Sequence, residues 1–126
     1  IHRLMCYINS SLDVKLCGFV ADPIHLLKIG LYSDDDFAGT PGSTKSTSGV
    51  FKAMLGPRSF MAQAALSKKQ SATSHSTPEA EIIAADLALR AEGFPALDLW
   101  ERISGKEGVV NFYEDNQAAI VVLKTG

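Results

Sequence analysis

The stretch His75–Gly93, HSTPEAEIIAADLALRAEG, constrains the fold more tightly than any other part of the chain. Ser76 or Thr77 can accept a hydrogen bond from a free backbone N–H of the next turn, and Glu79 stands three residues after Ser76. Pro78 falls in the first turn, where a missing N–H costs nothing, so a helix begins here. Ala80, Ile83, Ala84, Leu87 and Ala91 then recur at helical spacing as one apolar stripe. A stripe made largely of alanine allows close approach to a flat surface, so the helix is expected to lie on a sheet. Gly93 with Pro95 is expected to end it, and PALDLWERIS to form a second, shorter helix carrying Trp100.

The sheet must come from the flanking segments. KIGLYSD (28–34) alternates as a strand, with Ile29, Leu31 and Ser33 on one face and Gly30, Tyr32 and Asp34 on the other. FAGTPGSTKSTSG reads as a turn-rich loop. VFKAML and the segment from Ser59 form a hairpin around Gly56-Pro57, reaching to about Ser74. GVVNFYEDN alternates again, with Val109, Asn111, Tyr113 and Asp115 opposite Val110, Phe112 and Glu114, and QAAIVVLK begins another helix. Strand, hairpin, two helices, strand and helix make an α/β chain with a mixed sheet.

At 126 residues the chain suffices for one domain with a real core. Residues 1–17 carry a short helical pattern at Leu4, Met5 and Ile8 that fades at Ser10-Ser11. No initial Met or signal-peptide pattern opens the chain, and it stops at Lys124-Thr125-Gly126 within a helical run. Both ends are therefore expected to be cuts in a longer polypeptide. Cys6 and Cys17 belong to no metal or redox pattern and read as buried, reduced thiols of an intracellular protein.

Hydrophobic residues make up 46% of the chain without any run of roughly 18, which excludes a membrane-spanning helix. The net charge of −2 announces no partner, but its distribution is uneven. Between Asp36 and Glu79 there is no acidic residue, while Lys45, Lys52, Arg58, Lys68 and Lys69 all fall there. A polyanion would prefer this segment and cations the acidic one that follows.

Three carboxylates share a position at element ends: Asp34 and Asp115 where strands finish, Glu81 in the first turn of a helix. In open α/β sheets sites collect at such ends. Converging carboxylates repel, by about 4 kcal/mol for a pair ~4 Å apart at an effective dielectric of about 20. No Lys or Arg neighbours them in sequence, so a divalent cation is the economical compensation. Oxygen ligands without a His or Cys cluster favour Mg²⁺ or Mn²⁺ over zinc. His2, His25 and His75 are scattered and read as surface or structural residues.

In order and spacing, YSDDDFAG, KSTSGVF, SKKQ, STPEAEIIAA and EDNQAAI resemble the ribonuclease H domain of copia-type LTR retrotransposon polyproteins. That family reads approximately YSDADWAG, KSTSGY, SKKQ, SSTEAEYIA and CDNQSAI. The resemblance spans roughly Leu27 to Lys124 and implies a ribonuclease H-like fold, a mixed β-sheet flanked by helices. Residues 1–26 then correspond to the end of an upstream reverse-transcriptase or connection segment with its linker, and 27–126 to the nuclease domain. The implied activity is hydrolysis of the RNA strand of RNA–DNA hybrids by two Mg²⁺ or Mn²⁺ ions, with Asp34, Glu81 and Asp115 as catalytic ligands. Gln117 matches a position suited to the minor groove of the hybrid, where the 2′-hydroxyl marks RNA. Lys45, Lys52, Lys68 and Lys69 are candidate contacts to the nucleic acid.

The chain departs from the family at Asp35, an added acid, and at Phe37, which stands for Trp. Asp35 is expected to face away from Asp34 and to tolerate Ala, and Asp36 to cap the turn before Gly39. A fourth carboxylate and a nearby histidine of the family would lie beyond Gly126, so the domain is expected to be truncated at its C-terminus. The alternatives are a nucleic-acid-binding module of the same fold that no longer cuts, and, disfavoured by KSTSG and SKKQ, an integrase-like transferase.

Overall fold

The computed structural model describes residues 1–37, 39 and 44–125. Four strands form one mixed sheet: β1 (Lys28–Asp36), β2 (Thr47–Gly56), β3 (Ser59–Lys69) and β4 (Val110–Tyr113), in the order β3-β2-β1-β4. The helices are α1 (His2–Ser10), α2 (Thr77–Ala88), α3 (Phe94–Ser104) and α4 (Gln117–Thr125), with a 3₁₀ turn at Ile24–Leu26. β1 pairs antiparallel with β2 and parallel with β4, so the crossover between β1 and β4 carries α2 and α3. The chain is thus α/β, a mixed sheet with helices packed against it, as the alternation of patterns requires.

The hairpin closes tightly. Gly56 pairs with Ser59, leaving Pro57-Arg58 as the two-residue turn, and a bulge between Lys52 and Ala53 shifts the register of β2 against β3. β2 begins at Thr47, so Thr47-Ser48-Gly49 of the expected loop are strand; Ala38 and Thr40–Ser43 of that loop lie outside the described residues. β1 likewise runs two residues further than the alternation indicated, through Asp36.

α2 starts where its cap signals place it. Ser76 Oγ accepts from the Glu79 N–H, and Glu79 Oε2 accepts from the His75 N–H, so Glu79 serves the cap as its spacing required. Ala80, Ala84, Ala85 and Ala88 are buried, and Ala88 packs with Leu31 and Val50 at the centre of the core, ringed by Leu66, Leu87, Leu89, Val110 and Phe112. The helix does not stop at Gly93. It passes through a π-helical turn (Leu89–Gly93) directly into α3, and Gly93 keeps an ordinary helical φ of −68°. Gly93 is buried, and a Cβ on it would stand 3.2 Å from Leu31 Cδ2. Close packing against β1, not termination, therefore accounts for this glycine. The terminating glycine is Gly105, left-handed at φ 67° after Ser104.

Asp22 ties the N-terminal segment to the hairpin. It is buried, accepts from Ser59 Oγ at 2.5 Å and from the Arg58 N–H at 2.8 Å, and the Ser59 bond is the main reason its carboxyl titrates below the ordinary range. Phe19 adds a short antiparallel bridge to Phe60. Upstream of this, no residue of α1 is buried. Cys6 and Cys17 are exposed, which corrects their reading as buried thiols: the helix and linker that carry them pack against no core.

Candidate metal-binding site

Three elements deliver the acidic residues. Asp34 lies near the end of β1, on the face it shares with Tyr32, whose ring is 4.6 Å from that of Tyr113 and stacked on it. Asp115 follows β4 by two residues, and the parallel pairing of Tyr32 with Tyr113 brings the ends of β1 and β4 side by side. Glu81 comes from the first turns of α2, which crosses above β1. The outcome is one carboxylate oxygen from each of Asp34, Glu81 and Asp115, all within 4.8 Å of one another.

Their surroundings differ. Asp34 and Asp115 are exposed, while Glu81 is 5% exposed and its Oε2 has no hydrogen-bond partner among the described residues. A buried carboxylate oxygen without a donor is costly while charged. Burial, reinforced by the charges of Glu114, Asp34, Asp35 and Asp115, pushes the Glu81 carboxyl up to about 7. Opposite Asp34 in the antiparallel register stands Gly49. A Cβ there would come no closer than 3.7 Å to anything, so packing does not demand a glycine; its effect is to leave the ground beside Asp34 bare.

Two residues of the site escaped the sequence reading. Glu114 takes the face opposite Asp115, as the alternation indicated, but that face is turned toward α2. It accepts from Ser33 Oγ at 3.0 Å and from the Asn116 N–H at 3.1 Å, and of the four charges it is the strongest acting on Glu81. The signal was present in EDNQ, where the family has Cys in place of this Glu. Gln70, the last residue of SKKQ, is buried and donates to Asp35 Oδ1, Ser48 Oγ and Ala80 O.

Asp35 does face away from Asp34, but it is no free surface acid. It is half-buried, bonded to Gln70 and Ser46, and its Oδ2 lacks a partner among the described residues. Burial holds its carboxyl above the ordinary range against the Ser46 bond, with Asp34 and Asp36 adding to the rise. The Gln70 and Ser46 bonds are what a change to Ala would remove. The Asp36 carboxylate lies where a Cβ on Gly39 would fall, and the Asp36 carbonyl accepts from the Gly39 N–H, which agrees with a turn role.

The expected nucleic-acid contacts divide. Gln117 is exposed at the start of α4, two residues after Asp115, and Asn116 caps that helix by accepting from Ala118 and Ala119 N–H. Lys68 and Lys69 are exposed and, pairing with Ser48 and Thr47, point to opposite faces of the sheet. Lys45 donates to the Ser71 carbonyl at 2.6 Å. Lys52 is a correction: its ammonium is 2.6 Å from Glu92 Oε2, with the side chain 14% exposed, because β2 turns it toward the π-helical turn. A lysine so enclosed offers nothing to a polyanion. His2, His25 and His75 are exposed, as expected.

Compared with models of protein families, with curated proteins and with solved structures, the chain matches none of them.

Proposed function

We propose that this chain is a ribonuclease H-type domain of a copia-like retrotransposon polyprotein, of ribonuclease H-like fold over residues 27–126, that hydrolyses the RNA strand of RNA–DNA hybrids. The observation that carries the reading is the convergence of Asp34, Glu81 and Asp115, which the motif resemblance singles out one by one and which come from three separate elements. Residues 1–26, with an unburied α1, suit a segment that belongs to the upstream reverse transcriptase.

The donor set suits a hard divalent cation: among the described residues it has three carboxylates, no sulfur or imidazole, and one buried oxygen with no donor. Asp34, Glu81 and Asp115 would hold the Mg²⁺ or Mn²⁺ that the resemblance implies. When bound, such ions polarise the scissile phosphate and lower the pKa of an attacking water. The protein's own part is to hold the acids. The ends of β1 and β4 present Asp34 and Asp115 to solvent, and α2 brings Glu81 in from above with a carboxyl poised near neutrality. Bare ground at Gly49 leaves room for a bulky polymer beside Asp34, and Gln117 stands at the rim for its minor groove.

The test is a gel assay of the purified protein on RNA–DNA hybrid, duplex RNA and duplex DNA with Mg²⁺. Cleavage confined to the RNA of the hybrid, and abolished in Asp115→Asn, is the expected result. Undiminished cutting by Asp115→Asn, or cleavage of duplex DNA with the hybrid untouched, would overturn the assignment.

A further inference from the structure

Gln70 sits where three elements meet just behind the acidic residues. Its carboxamide nitrogen lies 3.1 Å from Asp35 Oδ1 on β1, 3.0 Å from Ser48 Oγ on β2 and 3.0 Å from the Ala80 carbonyl in α2. Its carboxamide oxygen accepts from Ser74 Oγ at 2.9 Å, and its own N–H donates to the Ser46 carbonyl at 2.9 Å. The residue is 6% exposed; its bonds to Ser48, Ala80 and Ser74 are buried and that to Asp35 is partly so. Two of its anchor points are next in sequence to triad members: Asp35 follows Asp34, and Ala80 precedes Glu81.

We propose that Gln70 is a positioning residue for the acidic triad, setting the end of β1 against the first turn of α2 and thereby the separation of Asp34 and Glu81. The inference rests on the reading of that triad as a metal site. Like-charged carboxylates push their supporting elements apart, and whatever holds those elements must add no further charge. A carboxamide meets this need: it is neutral, it offers two N–H donors to acceptors on β1, β2 and α2, and its oxygen is fixed in turn by Ser74. Glu in its place has nearly the same shape but, ionised, presents only acceptors to Asp35 and the Ala80 carbonyl. Ala leaves both without their donor.

The pair Asp35→Asn and Asp35→Ala isolates the bond from the charge. Both remove the carboxylate, but only Asn keeps an oxygen for Gln70 to reach. Mn²⁺ binding is measured by calorimetry on the folded proteins, with thermal unfolding and hybrid cleavage in parallel. Asp35→Asn is expected to bind Mn²⁺ within about threefold of the unaltered protein. Asp35→Ala, Gln70→Ala and Gln70→Glu are expected to weaken binding about tenfold and to raise the Mg²⁺ needed for half-maximal cleavage in proportion. Ser74→Ala, on the far side of Gln70, should lower the unfolding temperature with a smaller effect on Mn²⁺. If the Asn and Ala variants of Asp35 bind Mn²⁺ alike and the folded Gln70 variants bind it as the unaltered protein does, Gln70 merely stabilises and the inference falls while the nuclease reading stands. Mn²⁺ affinities that shift as stated in a protein that cuts duplex DNA and leaves the hybrid untouched would instead retain Gln70's role and overturn the nuclease. A protein that binds no Mn²⁺ overturns the metal site and this inference with it.

Discussion

Glu81 shows how one residue can be stabilising or destabilising according to its protonation. The folded chain keeps its proton to about pH 7, whereas an unfolded glutamate releases it near 4.5. Between these values the folded state binds more protons, so stability falls as pH rises through this window and levels off above it. Asp35, also raised, acts in the same direction, and Asp22, lowered, stabilises above the ordinary aspartate range and loses that contribution only in stronger acid. Without divalent cation, the urea midpoint should therefore decline between pH 5 and 7.5, by a stability loss on the order of 2–3 kcal/mol from Glu81. Glu81→Gln should flatten most of that decline and abolish cleavage, a pairing typical of a residue kept charged for function at the expense of stability. Saturating Mg²⁺ should restore the unaltered protein at pH 7.5 and leave the Gln variant unmoved.

At the scale of elements, the polar ends of the helices are as specific as their apolar faces. Asn116 satisfies two N–H groups at the start of α4 and stands directly after Asp115, so its loss touches both stability and site. Asn116→Ala should cost about 1 kcal/mol in urea unfolding and lower hybrid cleavage; Asn116→Ser should recover most of the stability. Gly105 is the contrasting case. Nothing lies within 4 Å of a Cβ built on it, so only its left-handed backbone matters, and Gly105→Ala should cost roughly 1 kcal/mol with cleavage unaffected. The capped start of α2 at Ser76 was legible in the sequence because caps are local chemistry. The continuation through Gly93 was not legible, since its reason, the nearness of Leu31, lies in another element 62 positions away in the numbering.

Over the whole molecule, lysines that form one basic run along the chain are partitioned by the sheet. Lys52 is drawn under the helical layer to Glu92, and Lys69 stays exposed. Lys52→Ala should cost about 1–3 kcal/mol of stability, because Glu92 is left half-enclosed without its partner. The same change should leave the salt dependence of hybrid binding unaltered, whereas Lys69→Ala should reduce the slope of log K against log salt by about one if that lysine meets a phosphate. A filter-binding titration across salt concentrations separates the two. On the same scale, the helices leave Tyr32, Phe51 and Tyr113 as an aromatic group on the sheet face that carries Asp34, with ring centres 5.9 and 4.6 Å from Tyr32.

What the sequence determined by itself was everything that depends on near neighbours: strand alternation, the hairpin around Gly56-Pro57, the capped start of α2, and Asp34, Glu81 and Asp115 at element ends. Local rules of backbone geometry and capping act over a few residues, so they can be read in one dimension. Tertiary structure alone decided what those residues meet. It brought the three carboxylates within 4.8 Å, turned Glu114 toward Glu81, enclosed Lys52, and bonded half-buried Asp35 to buried Gln70. Each of these depends on the register of β1 against β2 and β4 and on the seating of α2, set by the packing of Leu31, Val50 and Ala88 across distant parts of the chain. Of the three aspartates in SDDDF, alternation could separate the faces; only burial distinguished an exposed carboxylate at Asp34 from a half-buried one at Asp35.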